Sequence, residues 1–129
     1  MRTADVIAIY HGKLVLIERL GSPKGLAFPG GKVEADEEAS TTAQREFFEE
    51  TGLTLDISET FGIYSGKDRD PRFAESMTTV FLGVATGTLR NEPGKTKVRV
   101  CSFSECARFA KEQFAFDHHQ ILSDYLENR

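Results

Sequence analysis

One stretch of the chain combines an uninterrupted helical segment with a dense group of acidic side chains. From about residue 38 to 51 the sequence contains neither proline nor glycine, and Gly52 follows at the position where a helix would end. Seven acidic residues lie between positions 34 and 50, and their only basic neighbours are Lys32 and Arg45. A solvated helix face usually mixes the two signs of charge to gain i,i+4 pairs. The pattern therefore predicts a helix that binds a cation, with a solvated acidic face as the alternative.

Three glutamates of this segment are expected to share one helix face. Glu46 and Glu50 are four positions apart, and Glu46 and Glu49 are three apart, the spacings that place side chains together on a helix. Carboxylates so close repel one another, and a divalent cation removes that repulsion. Ligands that are all oxygen suit a hard ion, so we expect Mg2+ or Mn2+. Arg45 precedes the cluster and is placed to orient a glutamate through a charge-assisted pair.

The spacing of these residues resembles the Nudix box, G-x5-E-x7-R-E-U-x-E-E-x-G-U, in which U is a bulky hydrophobic residue. The matching positions are Gly31, Glu37, Arg45, Glu46, Glu49, Glu50 and Gly52. Phe47 departs from the pattern, because the family usually has an aliphatic residue there. The resemblance implies an α/β fold, a Nudix-type α/β/α sandwich with a mixed sheet in which the box forms a loop-helix-loop. At this length we expect a single domain over residues 1–129.

The same resemblance implies the chemistry and the roles of the box residues. Nudix enzymes hydrolyse nucleoside diphosphates linked to another moiety, using divalent metal. The expected metal ligands are Glu46, Glu49, Glu50 and the Gly30 carbonyl. Glu37 is expected to support the loop–helix geometry through Arg45. The general base stays open between a box glutamate and a residue from outside the box, with Glu75 and Glu105 as the outside candidates.

Charge and cysteine content limit the partners and the compartment. The net charge of -4 and the pI near 5.4 argue against non-specific nucleic-acid binding, which needs a basic surface. The N-terminus has neither the pattern of a signal peptide nor that of a membrane span. Cys101 and Cys106 lack the neighbouring ligand residues of a zinc site and are expected to be ordinary thiols. We therefore expect a cytoplasmic protein, and Nudix relatives suggest a homodimer.

Five runs have the composition of β-strands: residues 6–10, 13–19, 60–64, 77–85 and 97–103. His11 and Gly12 are expected to join the first two as a hairpin, and residues 20–25 to form a turn-rich loop. Pro29-Gly30-Gly31 predicts a sharp bend before the acidic helix. Two helices are expected near the end of the chain, a capped one from Ser104 to about residue 111 and one over 117–127. The second has Asp117 as a candidate N-cap and one apolar side, made of Ile121, Leu122, Tyr125 and Leu126.

Three segments outside the acidic helix resemble small ADP-ribose pyrophosphatases. They are L-A-F-P-G-G-K-V-E at 26–34, F-G-I-Y-S-G-K-D-R-D-P-R-F at 61–73 and F-A-F-D-H-H-Q-I-L at 114–122. Where the family often has a histidine and a serine after Asp-Pro-Arg, this chain has F-A-E-S at 73–76. The resemblance implies hydrolysis of ADP-ribose to AMP and ribose 5-phosphate.

A site for ADP-ribose needs cations for the diphosphate and an apolar surface for the base. The candidate cations are Arg19, Arg69 and Arg72, and the candidate aromatic residues are Phe28, Phe61, Tyr64 and Phe73. Each has a structural alternative. Arg69 and Arg72 could simply pair with Asp68 or Asp70, and Phe28 and Phe61 could belong to the core.

Two further functions stay open, and two apparent motifs do not hold. A MutT-like triphosphate pyrophosphohydrolase is the second function, since the short chain fits it too, and a non-catalytic nucleotide sensor is the third, although the box keeps every carboxylate. Gly30-Gly31-Lys32 is not a P-loop, because Leu26 stands where its first glycine belongs and Val33 where its hydroxyl residue belongs. Neighbouring residues on a helix point about 100° apart, so His118 and His119 are not expected to chelate a metal together; one should face inward and the other solvent.

Overall fold

The chain folds as one twisted sheet with helices on both of its faces. The structure is a computed structural model that describes residues 1–67 and 69–129. Within these residues lie seven strands, namely β1 (Arg2–Tyr10), β2 (Lys13–Arg19), β3 (Gly25–Ala27), β4 (Gly30–Lys32), β5 (Leu53–Gly66), β6 (Ser76–Gly87) and β7 (Thr96–Cys101). The helices are α1 (Ala39–Thr51), α2 (Phe103–Cys106) and α3 (His118–Asn128), with a 3-10 turn at Lys111–Gln113.

The sheet mixes parallel and antiparallel pairs. Its main order is β3-β2-β1-β6-β5, while β4 pairs with β1 and β7 pairs with β2. Strand β1 runs parallel to β6 and antiparallel to both β2 and β4. The hairpin expected at His11 and Gly12 is confirmed, since Ile9 pairs with Leu14 and Tyr10 with Lys13. Both hairpin residues have positive φ, as a tight turn requires.

Alternate residues of the central strand face two separate cores. On β1, Val6 and Ala8 pack with Phe47 of α1, whereas Ile7 packs with Ile121 of α3. Successive side chains of a strand point to opposite faces of the sheet. The alternation therefore places α1 against one face and α3 against the other. The predicted α/β fold, an α/β/α sandwich around a mixed sheet, is confirmed.

Helix α1 ends where the sequence predicts. Gly52 has φ 77°, in the left-handed region that glycine adopts without steric cost, and its N–H donates to the carbonyl of Phe48 at 2.8 Å. The helix begins at Ala39 behind Glu38. Ala43 and Phe47 on the buried face of α1 set the rotation of the helix, and hence the direction of its acidic face.

Several element bounds differ from the sequence prediction. The bend expected at Pro29-Gly30-Gly31 is confined to Pro29, because Gly30 and Gly31 form part of strand β4 against β1. The helix expected from Ser104 to about residue 111 is wrong in both bounds. Its cap is Ser102, whose hydroxyl accepts the Glu105 N–H, and α2 ends at Cys106. The helix ends there because the Phe109 and Phe114 rings, whose centroids are 6.0 Å apart, both pack into the core with α3. In a continuous helix, residues five apart would point to different faces.

Strands β1, β5 and β6 are longer than predicted, whereas β2 has the predicted bounds and β7 ends at Cys101, before the predicted end. The last helix differs at its cap. Strand β1 starts at Arg2, and β5 starts at Leu53 directly after the C-cap of α1. Asp117 precedes α3 as expected, but its side chain makes no cap hydrogen bond. The predicted apolar side of α3 is confirmed, since Ile121 and Leu122 are buried and the two residues a turn later pack beside them.

Two further expectations concern thiols and membranes. Cys101 and Cys106 are both buried and free, as expected of ordinary thiols. Burial raises the pKa of the Cys106 thiol to about 12, so the sulfur stays protonated and unreactive near neutral pH. Over the described ranges 1–67 and 69–129, no helix has both the length and the apolar character needed to cross a membrane.

Candidate active site

Arg45 organises the acidic face of α1. Its guanidinium forms a bidentate pair with Glu37, with both N–O distances at 2.8 Å. It also donates to Glu46 at 3.1 Å and to Glu49 at 3.3 Å. The pair holds the pKa of the Glu37 carboxyl down, at about 2. Glu37 in turn accepts hydrogen bonds from the Thr42 hydroxyl and the Glu34 N–H, so it ties the loop before α1 to the helix, as the resemblance implied.

Glu50 is the most buried of the box glutamates. Its side chain is only 6 % exposed, and its Oε1 accepts the Gly30 N–H at 2.8 Å. Burial raises its pKa well above the usual carboxyl value, and the nearby Glu46 adds to the effect. The pKa of Glu46 is also raised, first by burial and then by Glu49. Two sheltered carboxylates whose ionised form is disfavoured would gain from a cation nearby.

Gly31 lets helix α1 approach strand β4 closely, and Gly30 lets β4 approach β1. A Cβ at Gly31 would clash with the Glu46 side chain, including its Oε1 at 2.6 Å. A Cβ at Gly30 would clash with the Ala4 carbonyl and the Asp5 carboxylate. The two glycines are therefore required by close packing, which places strand β4 directly against the glutamates.

The box glutamates line a hollow that we call the acidic pocket. Its lining residues are Arg19, Gly21, Gly30, Glu46, Glu49, Glu50, Glu92, Gly94, Lys95 and Thr96. Within residues 1–67 and 69–129, no three His, Cys, Asp or Glu side chains converge closely enough to hold a metal ion together, and Arg45 engages two of the three glutamates. The chemistry of the donor set nevertheless suits a hard divalent cation, because all its acidic donors are oxygens and none of the described cations pairs with Glu50.

A second hollow, which we call the aromatic pocket, shares a wall with the acidic pocket. Arg19, Gly30 and Glu50 line both. The remaining lining residues of the aromatic pocket are Met1, Thr3, Asp5, Ile17, Ala27, Phe28, Gly31, Lys32, Arg69, Asp70, Arg72, Phe73, Phe116 and His118. Five of the seven candidate substrate residues are therefore in one place, and Phe61 and Tyr64 are not among them.

Phe116 lies between two of the predicted arginines. The guanidinium carbon of Arg19 is 5.0 Å from the ring centroid and that of Arg72 is 5.1 Å from it, both within cation–π range. Burial lowers the pKa of Arg19, and the neighbouring Arg72 charge lowers it further. Phe116 itself has φ 55°, which is unusual for a bulky residue. The local backbone is strained in order to hold this ring at the pocket.

The arginines of the 69–73 loop are held by carboxylates. Arg72 forms a bidentate pair with buried Asp70, at 3.1 and 3.0 Å. Arg69 forms one with Asp117, at 2.9 and 2.8 Å, and also donates to the Ser76 hydroxyl. The structure therefore contains the ion pair between Arg72 and Asp70 that the sequence analysis gave as the structural alternative. The alternative involving Asp68 lies outside the described residues.

The predicted aromatic residues divide between pocket and core. Phe73 lies in the aromatic pocket with Arg72 over its ring at 5.4 Å. Phe28 is 1 % exposed and belongs to the core while also lining the pocket. Phe61 and Tyr64 pack beside the α3 core, and the Tyr64 hydroxyl donates to Asp124 at 2.6 Å. Among the outside candidates for the general base, Glu105 is occupied in the capping box of α2 and lines neither pocket, and Glu75 also lies outside both.

A buried polar network forms the floor of the aromatic pocket. His118 accepts the Phe28 N–H at Nδ1 at 2.9 Å, which leaves Nε2 to carry the proton of the neutral ring, 3.4 Å from Asp5 Oδ2. Asp5 also accepts the Thr78 hydroxyl at 2.6 Å. His118 faces inward as expected, while His119 is half-buried, 3.2 Å from the Phe109 carbonyl.

Sequence reasoning missed several residues that line the two pockets, among them Asp5, Glu92, Thr96 and Phe116. An acidic residue inside the apolar strand β1 was a usable signal for Asp5, because an unpaired charge is rarely buried there. Phe116 was visible as the center of the A-F-D motif. Glu92 and Thr96 carry no local signal, since long-range pairing places them: Thr96 pairs with Arg19 in the β2–β7 ladder, and the Arg90 N–H near Glu92 donates to the Thr51 carbonyl at the end of α1.

Comparison with known proteins agrees with this geometry. The NUDIX domain model matches residues 1–125. An ADP-ribose pyrophosphatase of Methanocaldococcus jannaschii is 36% identical over 124 residues, covering 95% of this chain and 70% of the relative. A MutT-like protein of Streptomyces ambofaciens is 35% identical over 66 residues, 51% of this chain and 42% of that protein. The chain belongs to the NUDIX family and is a Nudix hydrolase.

A solved structure supports the fold separately. The NUDIX domain of Shewanella oneidensis NrtR, in complex with ADP ribose, superimposes with a TM-score of 0.83 over 98% of this chain and 86% of that chain, at 20% identity. At that identity the similarity establishes the architecture alone.

Proposed function

We propose that this Nudix hydrolase cleaves the pyrophosphate bond of ADP-ribose, yielding AMP and ribose 5-phosphate. The observation that carries the proposal is the wall shared by the two pockets. Arg19, Gly30 and Glu50 separate a hollow rich in carboxylates from one rich in arginine and aromatic groups. A diphosphate that crosses this wall has cation ligands on one side and a nucleoside surface on the other. The relative from M. jannaschii supports the choice of substrate.

Glu46, Glu49, Glu50 and the Gly30 carbonyl are the groups that would hold the metal in this proposal, and Mg2+ is the ion, with Mn2+ as a substitute. When bound, a divalent ion neutralises the pyrophosphate and acidifies a coordinated water. Arg45 holds Glu46 and Glu49 in reach of the pocket through the bonds described above. The proton acceptor for the attacking water is drawn from the carboxylates of the acidic pocket, to which the structure adds Glu92.

The aromatic pocket holds the rest of the substrate in this proposal. Arg19 and Arg72 are assigned to the anionic diphosphate, and Phe28 and Phe73 to the apolar surface for the base. Arg69 is assigned a positioning role and not direct substrate contact, because its donors are engaged by Asp117 and Ser76. Tyr64 stays a substrate-binding candidate from the sequence alone, and its hydroxyl bond to Asp124 supports a structural role instead.

The test is product-resolved hydrolysis. ADP-ribose, NADH, diadenosine polyphosphates, dGTP and 8-oxo-dGTP are each incubated with Mg2+ and with chelator, and the products are separated by chromatography. AMP and ribose 5-phosphate from ADP-ribose, formed only with metal, are the expected result. Glu50→Gln serves as the inactive control and Asp36→Ala, an exposed acid outside both pockets, as the active one. A stronger preference for a triphosphate, with pyrophosphate as product, would overturn the substrate assignment and leave the metal chemistry in place.

The second candidate is a MutT-like triphosphate pyrophosphohydrolase. It is favoured by the 35% identity to the MutT-like protein, although the match covers only half of this chain. A nucleotide sensor, the third candidate, would bind ADP-ribose without turning it over, and the same panel combined with calorimetry distinguishes it. We also propose that residues 1–129 form one domain, that the partner is a small-molecule nucleotide and that the protein is a homodimer. The two free thiols support a cytoplasmic location.

A further inference from the structure

Thr96 has a buried hydroxyl with no partner in the protein. The residue is 5 % exposed. Over residues 1–67 and 69–129, its Oγ1 is the one buried side-chain oxygen or nitrogen that makes no hydrogen bond. Leaving such a group unpaired costs free energy, so folded proteins pair nearly all of them. Because Thr96 lines the acidic pocket, a ligand bound in that pocket is the candidate for the missing partner.

The backbone, not the hydroxyl, fixes the position of Thr96. The N–H groups of Lys95 and Thr96 both donate to the Glu92 carbonyl at 3.2 Å, and the Lys95 carbonyl accepts the Leu20 N–H at 3.0 Å. Thr96 then pairs with Arg19 in the β2–β7 ladder. A residue held this firmly by main-chain bonds does not need its side-chain oxygen for the fold, which frees the hydroxyl for a ligand.

The charges around the hydroxyl indicate which ligand. The α1 wall of the acidic pocket presents carboxylates, whereas the wall at Thr96 presents Arg19 and Lys95. Glu92 on the same wall lies 3.9 Å from the Lys95 ammonium, which offsets part of its charge. Thr96 is the ladder partner of Arg19, so its hydroxyl is on the cationic wall and is assigned to an anionic oxygen, while the carboxylate wall is assigned to the cation.

We propose that the Thr96 hydroxyl donates a hydrogen bond to a phosphoryl oxygen of the diphosphate substrate. Thr96 is thereby a substrate-binding residue outside the acidic helix, and it sets which phosphate is held against the metal-binding wall. The inference rests on the proposed diphosphate chemistry of the site, but it does not depend on which nucleoside the substrate carries.

The test compares Thr96→Val, which keeps the shape and removes the hydroxyl, with Thr96→Ser, which keeps the hydroxyl. The probe is methylenediphosphonate, a pyrophosphate analogue that is not hydrolysed, titrated with Mg2+ by calorimetry. A hydrogen bond to a charged oxygen corresponds to a loss of about ten- to a hundredfold in affinity. We expect that loss in Thr96→Val and recovery to within about threefold in Thr96→Ser. Thr86→Val, at an exposed position outside both pockets, controls for the substitution itself.

Stability distinguishes ligand binding from a structural role. Removing an unpaired buried hydroxyl should leave the urea midpoint of Thr96→Val unchanged or higher. Thr51→Val is the contrasting control, because the Thr51 hydroxyl is buried and bonds the Phe47 carbonyl at 2.6 Å, so its loss should lower the midpoint. Unchanged affinity in Thr96→Val, or a midpoint lowered as in Thr51→Val, would overturn the inference.

Two more measurements distinguish this inference from a metal-binding role of the hydroxyl and from the substrate assignment. Mn2+ binding without phosphate should be equal in wild type and Thr96→Val; a loss there would make the hydroxyl a metal-site group and refute the phosphoryl contact. The substrate assignment fails independently, when wild-type protein binds methylenediphosphonate but does not hydrolyse ADP-ribose. In that case a Thr96→Val defect in analogue binding still supports the inference.

Discussion

Breaking the ion pair between Arg69 and Asp117 should destabilise the protein and loosen its aromatic pocket. The Arg69 side chain is 8% exposed and that of Asp117 is 25% exposed. In Asp117→Ala, the guanidinium loses both carboxylate bonds and keeps only the Ser76 hydroxyl at 2.9 Å. The loop that carries Arg72 and Phe73 is then no longer tied to the start of α3.

The size of the effect follows from this partial burial. Removing one partner of a fully buried pair costs about 3–5 kcal/mol, because the other charge is left uncompensated. Water reaches this pair through the exposed quarter of Asp117, so we expect ~2–3 kcal/mol for Asp117→Ala. In a chain of 129 residues that corresponds to roughly 10 °C in Tm. Arg69→Met should cost less, about 1–2 kcal/mol, since the remaining carboxylate can hydrate.

Urea unfolding of a double-mutant cycle measures the prediction. The double variant Arg69→Met with Asp117→Ala removes both charges, so it should cost less than the sum of the single changes by at least about 1 kcal/mol. Asp36→Ala, an exposed acid, is the control and should stay within about 0.5 kcal/mol of wild type. The KM for ADP-ribose should rise in both single variants. A loss below about 1 kcal/mol in Asp117→Ala, or strict additivity of the cycle, would refute this account of the pair.

Three further predictions concern the site. Glu50→Gln should lower Mg2+-dependent turnover by at least about a hundredfold with unchanged circular dichroism, because a buried ligand carboxylate is lost; near-normal turnover would remove Glu50 from the metal site. Arg72→Ala should weaken ADP-ribose hydrolysis more than triphosphate hydrolysis, with exposed Arg108→Ala as control, and equal losses on both substrates would exclude a specific role. The Arg45 pair lowers the pKa of Glu37 from 4.5 to about 2, so its contribution to stability is present above pH 4.5 and lost as pH falls towards 2. Acid unfolding of Glu37→Gln should therefore depend less on pH in that window, and an unchanged profile would contradict the pair.

The parts of the molecule that sequence predicted well are those with local signals. Helix α1, its end at Gly52 and the bond between Glu37 and Arg45 all lie within one short stretch. Periodicity and glycine positions act over such distances. The sandwich was also predicted, but through the family resemblance; residues 6–9 of β1 are all apolar and show no alternation that assigns them to a face.

Features that depend on distant pairing were not predictable in the same way. The Tyr64 hydroxyl bonds Asp124 and does not line the pocket. Asp124 lies sixty positions later in the chain, so the sequence near Tyr64 does not reveal this partner. Asp117 looked like an N-cap, but its carboxylate is engaged by Arg69 from another loop. The β2–β7 ladder places Thr96 opposite Arg19, which is distant in the sequence. In each case the position of the residue depends on a partner that is distant in the sequence, and the local sequence does not reveal that partner.

The position of Arg19 has a thermodynamic consequence. One guanidinium lines both pockets, rests against Phe116 and is anchored to the Pro23 carbonyl at 2.7 Å. A ligand in one pocket therefore changes the electrostatic environment of the other through a group that they share. By linkage, the factor by which a divalent ion tightens the binding of the nucleotide must equal the factor by which the nucleotide tightens the binding of the ion. Any substitution at Arg19 that changes one of these factors must change the other by the same amount.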